Sequence, residues 1–405
     1  MLQAPGFKHL ESSATPYRTR TSSVEPTGEQ RCVIDGIAGY INDGAPEVLL
    51  AGRAGTGKTS LIPYLVSMFD RPAVVAPTGR AASILRSKGL GDARTIHSFL
   101  YQSPILDDDD EIIGWKDRDT PPDADGVIID EVSMVGVKER DDLRGIDAQL
   151  IFVGDSGQLQ PVKGPAWFHD GADFRLNTIH RQAAGSPIIQ TAHHALETGE
   201  VVPSSDGAVR VVQGSKAEID VVLDADVVLC FKNYTRKQLT RDIRELLGRS
   251  GPPQPGEPVM ALSNCYQANL FNGEIRQLGE WNVDRPYGAV GVSDKSCWPI
   301  IGGLRLPINA AEIDQIIGDE SVVPNINLNQ KLGVWRNHPY ADPKPIWPIG
   351  LTFGYVATVH KSQGSEWDHV AIVDDCPRGS SMRRSWLYTA ITRAKRTVTI
   401  IDVTK

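Results

Sequence analysis

Gly52-Arg53-Ala54-Gly55-Thr56-Gly57-Lys58-Thr59 has the residue types and spacing of a phosphate cradle. Glycines let successive backbone N–H groups converge on phosphate oxygens, and a helix beginning at the lysine adds positive potential. Lys58 would reach the β- and γ-phosphates, and the Thr59 hydroxyl would ligate Mg²⁺. Gly52, Gly55, Thr56 and Gly57 supply the rest of the cradle. About 70 residues on, Val127-Ile128-Ile129 ends in Asp130-Glu131. An apolar strand ending in two carboxylates puts Asp130 beside the metal and leaves Glu131 to orient or deprotonate a water. A single terminal carboxylate would be an ordinary strand cap; the pair after a complete cradle is not. Ile151-Phe152-Val153 leads into Gly154-Asp155-Ser156-Gly157-Gln158, where Gln158 could sense a γ-phosphate or hold the lytic water. Phosphoryl transfer spreads negative charge over equatorial oxygens, so arginines are sought. Arg181, in Thr178-Ile179-His180-Arg181-Gln182, and Arg393, at the end of a helical stretch, are the candidates. Either one alone would read as a surface or salt-bridged arginine.

These residues need strand ends to hold them. Short apolar runs recur at Val48–Ala51, Ala73–Ala76, Val127–Ile129, Leu150–Val153, Val227–Phe231, Val370–Val373 and Val398–Ile401, with helical patterns between several of them. Buried strands alternating with helices predict parallel sheets covered on both faces. Helical spacing begins near Gly28, through Gln30, Ile34, Ile37 and Ile41. The expected architecture is α/β. It has an N-terminal tail over 1–26, a first domain over 27–173, and a second domain split into 174–274 and 350–405. Two insertions break the rhythm. Residues 98–126 read as a hairpin, with Pro104-Ile105-Leu106 and Ile112-Ile113-Gly114-Trp115 flanking an acidic turn. Residues 275–349 are rich in Gly and Pro, hold Trp281, Trp298, Trp335 and Trp347, and read as a small β domain. Asn272-Gly273-Glu274 reads as a plain turn entering it.

The chain has 405 residues, with 42 Lys and Arg against 50 Asp and Glu, a net charge of −8. No apolar run of roughly 18 residues is present, which excludes a membrane-spanning helix. Met1–Arg20 has no signal-peptide core, and five scattered cysteines suit neither a disulfide framework nor a zinc site, so a reducing cytoplasm is expected. Acidity argues against a nucleic-acid partner, but the charge is local. Residues 98–126 carry nine acidic and two basic side chains, leaving the rest near neutral. An acidic Asp107–Glu111 tip should therefore avoid a phosphate backbone and face solvent, the small β domain or a basic protein. His193 and His194 are adjacent, point to different faces of a helix, and are not expected to share a metal.

Read in order, the motifs resemble superfamily 1 helicases. They are Gln30, the phosphate cradle, Ala76-Pro77-Thr78-Gly79-Arg80-Ala81-Ala82, Thr95-Ile96-His97, Asp130-Glu131-Val132-Ser133-Met134, Gly154–Gln158, Arg181-Gln182, Thr358-Val359-His360-Lys361-Ser362-Gln363-Gly364-Ser365-Glu366 and Tyr388–Ala394. The series is similar to the RecD-like branch, and most of all to the compact phage Dda helicases. That resemblance implies two RecA-like P-loop NTPase domains with ATP and Mg²⁺ in the cleft between them. The pin hairpin would be inserted in the first domain and a small SH3-like β-barrel in the second. It assigns Gln30 to adenine, and Lys58, Thr59, Asp130, Glu131, Gln158, Arg181 and Arg393 to ATP hydrolysis. Gly364 and Glu366 would touch ribose and phosphates. Thr78, Arg80, His97, Thr358, His360, Lys361 and Ser362 would contact single-stranded DNA. It implies 5′→3′ movement on DNA, forked duplex as substrate, and work in replication, recombination or repair in a bacterial or phage-infected cell. A replication or single-strand-binding protein is the partner class suggested.

In the pin, Pro104, Ile105, Leu106 and Trp115 are wedge or bracing candidates; for Trp115, burial under its own hairpin is the competing reading. Two other functions fit parts of the same pattern. A DNA-stimulated translocase that strips proteins without unwinding would share every motif except a working pin. A binding module with a relic nucleotide site is disfavoured by the intact Lys58, Thr59, Asp130, Glu131, Arg181 and Arg393. No nuclease constellation is present.

Overall fold

The computed structural model describes residues 25–106, 112–161, 167–168, 171–179, 185–214, 219–250, 254, 256–261, 271–282, 296–301, 304–305, 308–309 and 351–403. Helix α1, Gly28–Asn42, opens on a reciprocal cap. The Thr27 hydroxyl accepts the Gln30 N–H, and the Gln30 side-chain oxygen accepts the Thr27 N–H. Val33, Ile37 and Ile41 follow at helical spacing and are buried. Then come β1 (Glu47–Gly52), α2 (Lys58–Val66), β2 (Pro72–Ala76), α3 (Gly79–Ser87), β3 (Arg94–Thr95) and α4 (Ile96–Leu100). The hairpin β4 (Tyr101–Leu106) and β5 (Ile112–Asp117) precedes β6 (Gly126–Ile129), α5 (Val137–Arg144), β7 (Gln149–Gly154) and β8 (Phe174–Leu176).

Six strands form one parallel sheet in the order β3-β2-β6-β7-β1-β8. Its central strands β1, β2, β6 and β7 are apolar beyond their first residues because both faces are covered, whereas the edge strands β3 and β8 carry the exposed Arg94 and Arg175. Ile37, Leu61, Leu65 and Leu85 pack on one face. Phe99, Val132, Leu143 and Phe168 pack on the other. The expected domain boundary after residue 173 is corrected here. Phe174–Leu176 pairs with β1, so the first domain runs through Leu176. Three residues are too few to show a period in sequence.

The second sheet is built from β9 (Val209–Gln213), β10 (Val227–Cys230), β17 (Val356–Thr358), β18 (Trp367–Asp374) and β19 (Ala394–Asp402), all parallel, in the order β17-β10-β18-β19-β9. Its helices are α6 (Pro187–Thr198), α7 (Ile219–Leu223), α8 (Asn233–Leu246), α9 (Val359–Ser362) and α10 (Arg383–Ile391). Helix α10 is almost wholly buried, with Trp386, Leu387, Tyr388 and Ile391 all inaccessible. The Arg383 guanidinium pins its start, donating at 2.8 and 2.7 Å to the two oxygens of Asp374 at the end of β18. A fork-to-fork pair of this kind fixes orientation as well as position.

An antiparallel sheet lies between β10 and β17 in sequence. It runs β14 (Leu304–Arg305), β13 (Ser296–Ile301), β12 (Ile275–Asn282), β11 (Pro258–Ala261), β16 (Leu351–Phe353), with β15 (Ile308–Asn309) paired to β13. The insertion expected over 275–349 therefore recruits strands on both flanks, 258–261 and 351–353. Trp335 and Trp347 lie outside the described residues, as does the acidic Asp107–Glu111 turn. At the base of that hairpin, Asp123 and Asp125 pair with Arg71, so part of the local acidity is neutralised there.

Candidate functional site

In the first sheet β6, β7 and β1 are neighbours and run the same way, so their C-terminal ends meet at one edge. That alone brings Asp130, Asp155 and the Gly52–Thr59 loop together, at the edge where open α/β sheets bind ligands. Gly57 caps α2 in the left-handed region at φ 78°, which a side chain would disfavour. Lys58 Nζ donates to the Arg53 carbonyl at 3.1 Å and lies 3.9 Å from Asp155 Oδ2. The ammonium is thus held over the loop mouth. Gln30 Nε2 donates to the Thr56 carbonyl at 3.4 Å, tying the start of α1 to the cradle.

The Asp130 and Glu131 carboxyls are both pushed above the usual carboxylate range. For Asp130 burial is the main cause. For Glu131 burial and then the adjacent Asp130 raise the value to about 6, against the pull of Arg393 and Lys58. Glu131 also sits at φ 53°, the one non-glycine with positive φ among the described residues. Such local strain persists where surrounding structure enforces it. Thr59 Oγ1 donates to Asp130 Oδ2 at 3.4 Å. Two hard oxygens on a desolvated acidic pair fit Mg²⁺, and a cation there would relieve the burial penalty. Among the described residues no group of three His, Cys, Asp or Glu could cage a metal, so phosphate and water oxygens would complete its shell.

Arg393 reaches this edge from the second domain. It is buried, and its guanidinium donates to Thr389 O at 3.0 Å, Ser365 O at 3.2 Å and Thr392 Oγ1 at 3.2 Å. Its charge acts on Glu131. Gln158 is also buried, and its Oε1 has no hydrogen-bond partner, an acceptor placed for a donor such as water. Glu366 is different. It is exposed and 3.8 Å from Lys395. Arg181 lies outside the described residues.

Three links across the cleft were not singled out from sequence. The Tyr388 hydroxyl donates to Asp155 Oδ2 at 2.7 Å and accepts from the Ala54 N–H at 2.6 Å. Leu159 N donates to Thr389 Oγ1 at 2.9 Å, and Gln363 Nε2 donates to Leu159 O at 3.0 Å. Their only sequence signal is membership of a longer motif or, for Leu159, a place directly after one.

The expected strand-contacting residues fall on two facing edges. Thr78 caps α3, accepting from Ala81 N at 3.1 Å. Gly364, whose φ of 75° favours glycine, faces it across the cleft, and a Cβ there would be in ordinary contact with Thr78 Oγ1, 3.6 Å away. His360 and Lys361 are both held below their usual ranges, mainly by burial, with Arg236 also acting on Lys361. Lys361 is nonetheless solvent-exposed, beside another cation, Arg236, where a phosphate would be favoured. Thr358 starts α9 without a side-chain capping bond, whereas the buried Ser362 hydroxyl donates back to Val359 O. His97 packs on Trp115, with ring centroids 4.5 Å apart, and Trp115 stacks on Tyr101 at 5.7 Å. Trp115 therefore braces the hairpin base against the first domain, while Ile105 on the facing strand is 46% exposed.

The Asn272–Glu274 turn does more than turn. Gly273, at φ 83°, lies against the Lys361 carbonyl, where a Cβ would come within 2.6 Å. Glu274 accepts from Phe271 N at 3.1 Å and from Arg80 Nη1 at 3.2 Å, and it also pairs with Arg276. A buried carboxylate thus competes with any phosphate for Arg80. Glu274→Gln keeps the acceptor for Phe271 but removes the charge. It should tighten single-stranded DNA binding by about 2- to 10-fold at low salt, with a smaller gain at high salt. Fluorescence anisotropy titrations at two salt concentrations would show it, and unchanged affinity at both would contradict it.

Residues 27–213 match the AAA domain family, and residues 353–401 match the UvrD-like helicase C-terminal domain family. The chain is 26% identical to the ATP-dependent RecD2 DNA helicase of Deinococcus radiodurans, an alignment covering 94% of this chain and 49% of that protein. It is also 26% identical to the RecBCD enzyme subunit RecD of Mycobacterium tuberculosis, over 87% of this chain and 66% of that protein. The chain thus spans about half to two thirds of these relatives. Among solved structures it resembles a Bacteroides Pif1 helicase in complex with ADP-AlF3 and single-stranded DNA, with TM-score 0.52 and 18% identity over 94% of each chain. A Pif1 structure addressing unwinding at forked duplex DNA gives TM-score 0.53 and 19% identity, over 94% of this chain and 93% of that one. At these identities the structural likeness is one of fold.

Proposed function

We propose that this chain, a superfamily 1 helicase of the RecD- and Pif1-like kind, hydrolyses ATP to move 5′→3′ along single-stranded DNA and to unwind forked duplex. The observation that carries the reading is the meeting of two half-sites. The cradle, Asp130 and Glu131 come from one parallel sheet, and α10 of the other domain, which ends near the buried Arg393, is hydrogen-bonded to that cradle through Tyr388. A site completed only across a cleft converts phosphate chemistry into domain motion.

Lys58 and the cradle amides would bind the phosphates, and Gln30 would sit beside the base. Thr59 and Asp130 would hold Mg²⁺, which supplies charge neutralisation at the phosphate oxygens. Glu131 takes the proton of a water that Gln158 holds through its unpartnered Oε1, and Arg393, with Arg181, neutralises the charge that develops on the phosphoryl oxygens. With the γ-phosphate gone, Lys58 and the arginines lose their shared anion and the cleft relaxes. Thr78, Arg80 and His97 on one domain, and Thr358, His360, Lys361 and Ser362 on the other, then grip the strand alternately. Gly364 and Glu366 would touch the ribose and phosphates of the nucleotide. The β4–β5 hairpin serves as the separating pin, braced through Trp115, and the antiparallel sheet is an SH3-like barrel supporting it. The finer likeness to the phage Dda helicases rests on the motif series. No helix among the described residues is long and apolar enough to cross a membrane, and we place the work in the cytoplasm, in replication, recombination or repair.

Matched duplexes with a 5′ or a 3′ single-stranded tail test activity and polarity together. With ATP, the 5′-tailed duplex should be unwound at least about 10-fold faster, a preference set by which end the motor can load. Equal rates would overturn the polarity. ATP turnover and protein displacement without unwinding of either would favour the translocase reading.

A further inference from the structure

We propose that Tyr388 is a positioning residue for phosphoryl transfer. Its hydroxyl locks α10, the helix whose end carries Arg393, to the phosphate cradle. The inference rests on the ATPase reading above and deepens it.

The geometry is specific. Tyr388 belongs to the second domain, yet its hydroxyl is fully engaged by the first. It donates to Asp155 Oδ2 at 2.7 Å and accepts from the Ala54 N–H, inside the cradle, at 2.6 Å. Asp155 is itself a junction. Its Oδ1 accepts from Gly157 N at 2.9 Å, and its Oδ2 lies 3.9 Å from Lys58 Nζ. One phenol therefore contacts the cradle backbone directly and the phosphate-binding lysine through one carboxylate. Burial holds the phenol well above its usual range, so it keeps the proton it donates.

Arg393 follows one turn later. Its Nε is held by the carbonyl of Thr389, the residue after Tyr388, and Thr392 N donates to the Tyr388 carbonyl at 3.1 Å. A shift of Tyr388 would therefore move the Arg393 anchor. Space around the ring is also closed. A Cβ on Gly157 would come within 3.2 Å of Tyr388 Cε1 and 2.7 Å of Leu196 Cδ2. A hydrophobic ring alone would fill that space, but it would not explain a hydroxyl with both a donor and an acceptor across the cleft.

The test is Tyr388→Phe, which keeps the ring and removes the lock. Three further samples accompany it: wild type, Arg393→Ala, and the double variant. DNA-stimulated ATP hydrolysis and thermal melting are measured for all four. Y388F should lower kcat by about 10- to 100-fold, the cost of a small misplacement of a charge-stabilising group, and leave the KM for ATP within about twofold. The double variant should turn over within about twofold of R393A alone, because both changes disable one device. Wild-type kcat in Y388F overturns the inference. So does a double loss equal to the product of the single losses, or a kcat loss that only tracks a fall in Tm. A wild-type chain without ATPase activity on single-stranded DNA overturns the underlying ATPase reading, and this inference with it.

Discussion

Glu131→Gln should reduce DNA-stimulated ATP turnover by about 10³-fold, within the range that a general base contributes, while ATP binding persists. The substitution keeps size and shape and removes only the capacity to take a proton. The site explains why this glutamate can act near neutral pH. Burial and the neighbouring Asp130 hold it at about 6, while Arg393 and Lys58 prevent it from rising further. Wild-type turnover should therefore climb as pH rises through about 6 and level off above it. The same shift affects stability in the opposite sense. A carboxyl whose pKa is raised on folding favours the fold below its unfolded value, and that contribution is lost as pH rises through the folded value. E131Q should thus melt at a higher temperature than wild type above pH 7, by a free energy on the order of 1–2 kcal/mol, with the difference vanishing below about pH 4. A pH profile of turnover and a pair of melting series check both. Turnover of E131Q within tenfold of wild type would remove Glu131 as the base.

Arg393→Ala is the second large effect. DNA-stimulated hydrolysis should fall by about 10³-fold, the lower end of what an arginine supplies to phosphoryl transfer, with binding of a non-hydrolysable ATP analogue retained. Arg393 also has a structural cost, since three acceptors in its own domain, Thr389 O, Ser365 O and Thr392 Oγ1, lose their donor. Some loss of stability, about 1–3 kcal/mol, should accompany the catalytic loss. Arg393→Lys separates the two roles. It restores charge without the planar fork, so it should recover part of the turnover but not all three hydrogen bonds. Near wild-type turnover in R393A would refute the assignment.

The two variants probe one charge balance. Glu131 is pulled down by Arg393, so R393A should also move the acid limb of any residual activity to higher pH. This links the domains electrostatically, as Tyr388 does by hydrogen bonds.

The segments that make up the candidate site were legible in the sequence. Gly52–Thr59, Asp130-Glu131 and the apolar runs before them are short contiguous patterns, because a strand end and the loop that follows it must be adjacent in the chain. The parallel α/β class followed from the same runs. The strands at 94–95, 174–176, 209–213 and 356–358 were not legible; they are short or half-buried, and pairing with a neighbour rather than their own pattern makes them strands. The boundary at Leu176 and the recruitment of 258–261 and 351–353 into the antiparallel sheet are decisions of the same kind. Tertiary structure alone decided the partners of single atoms. Tyr388 looked like one more residue of a motif, and Asn272-Gly273-Glu274 like a plain turn. Only folding placed the phenol on Ala54 and Asp155, and Glu274 on Arg80. Those partners are between 194 and 334 positions apart, and each hydrogen bond depends on a distance of a few tenths of an ångström, which no spacing along the chain encodes.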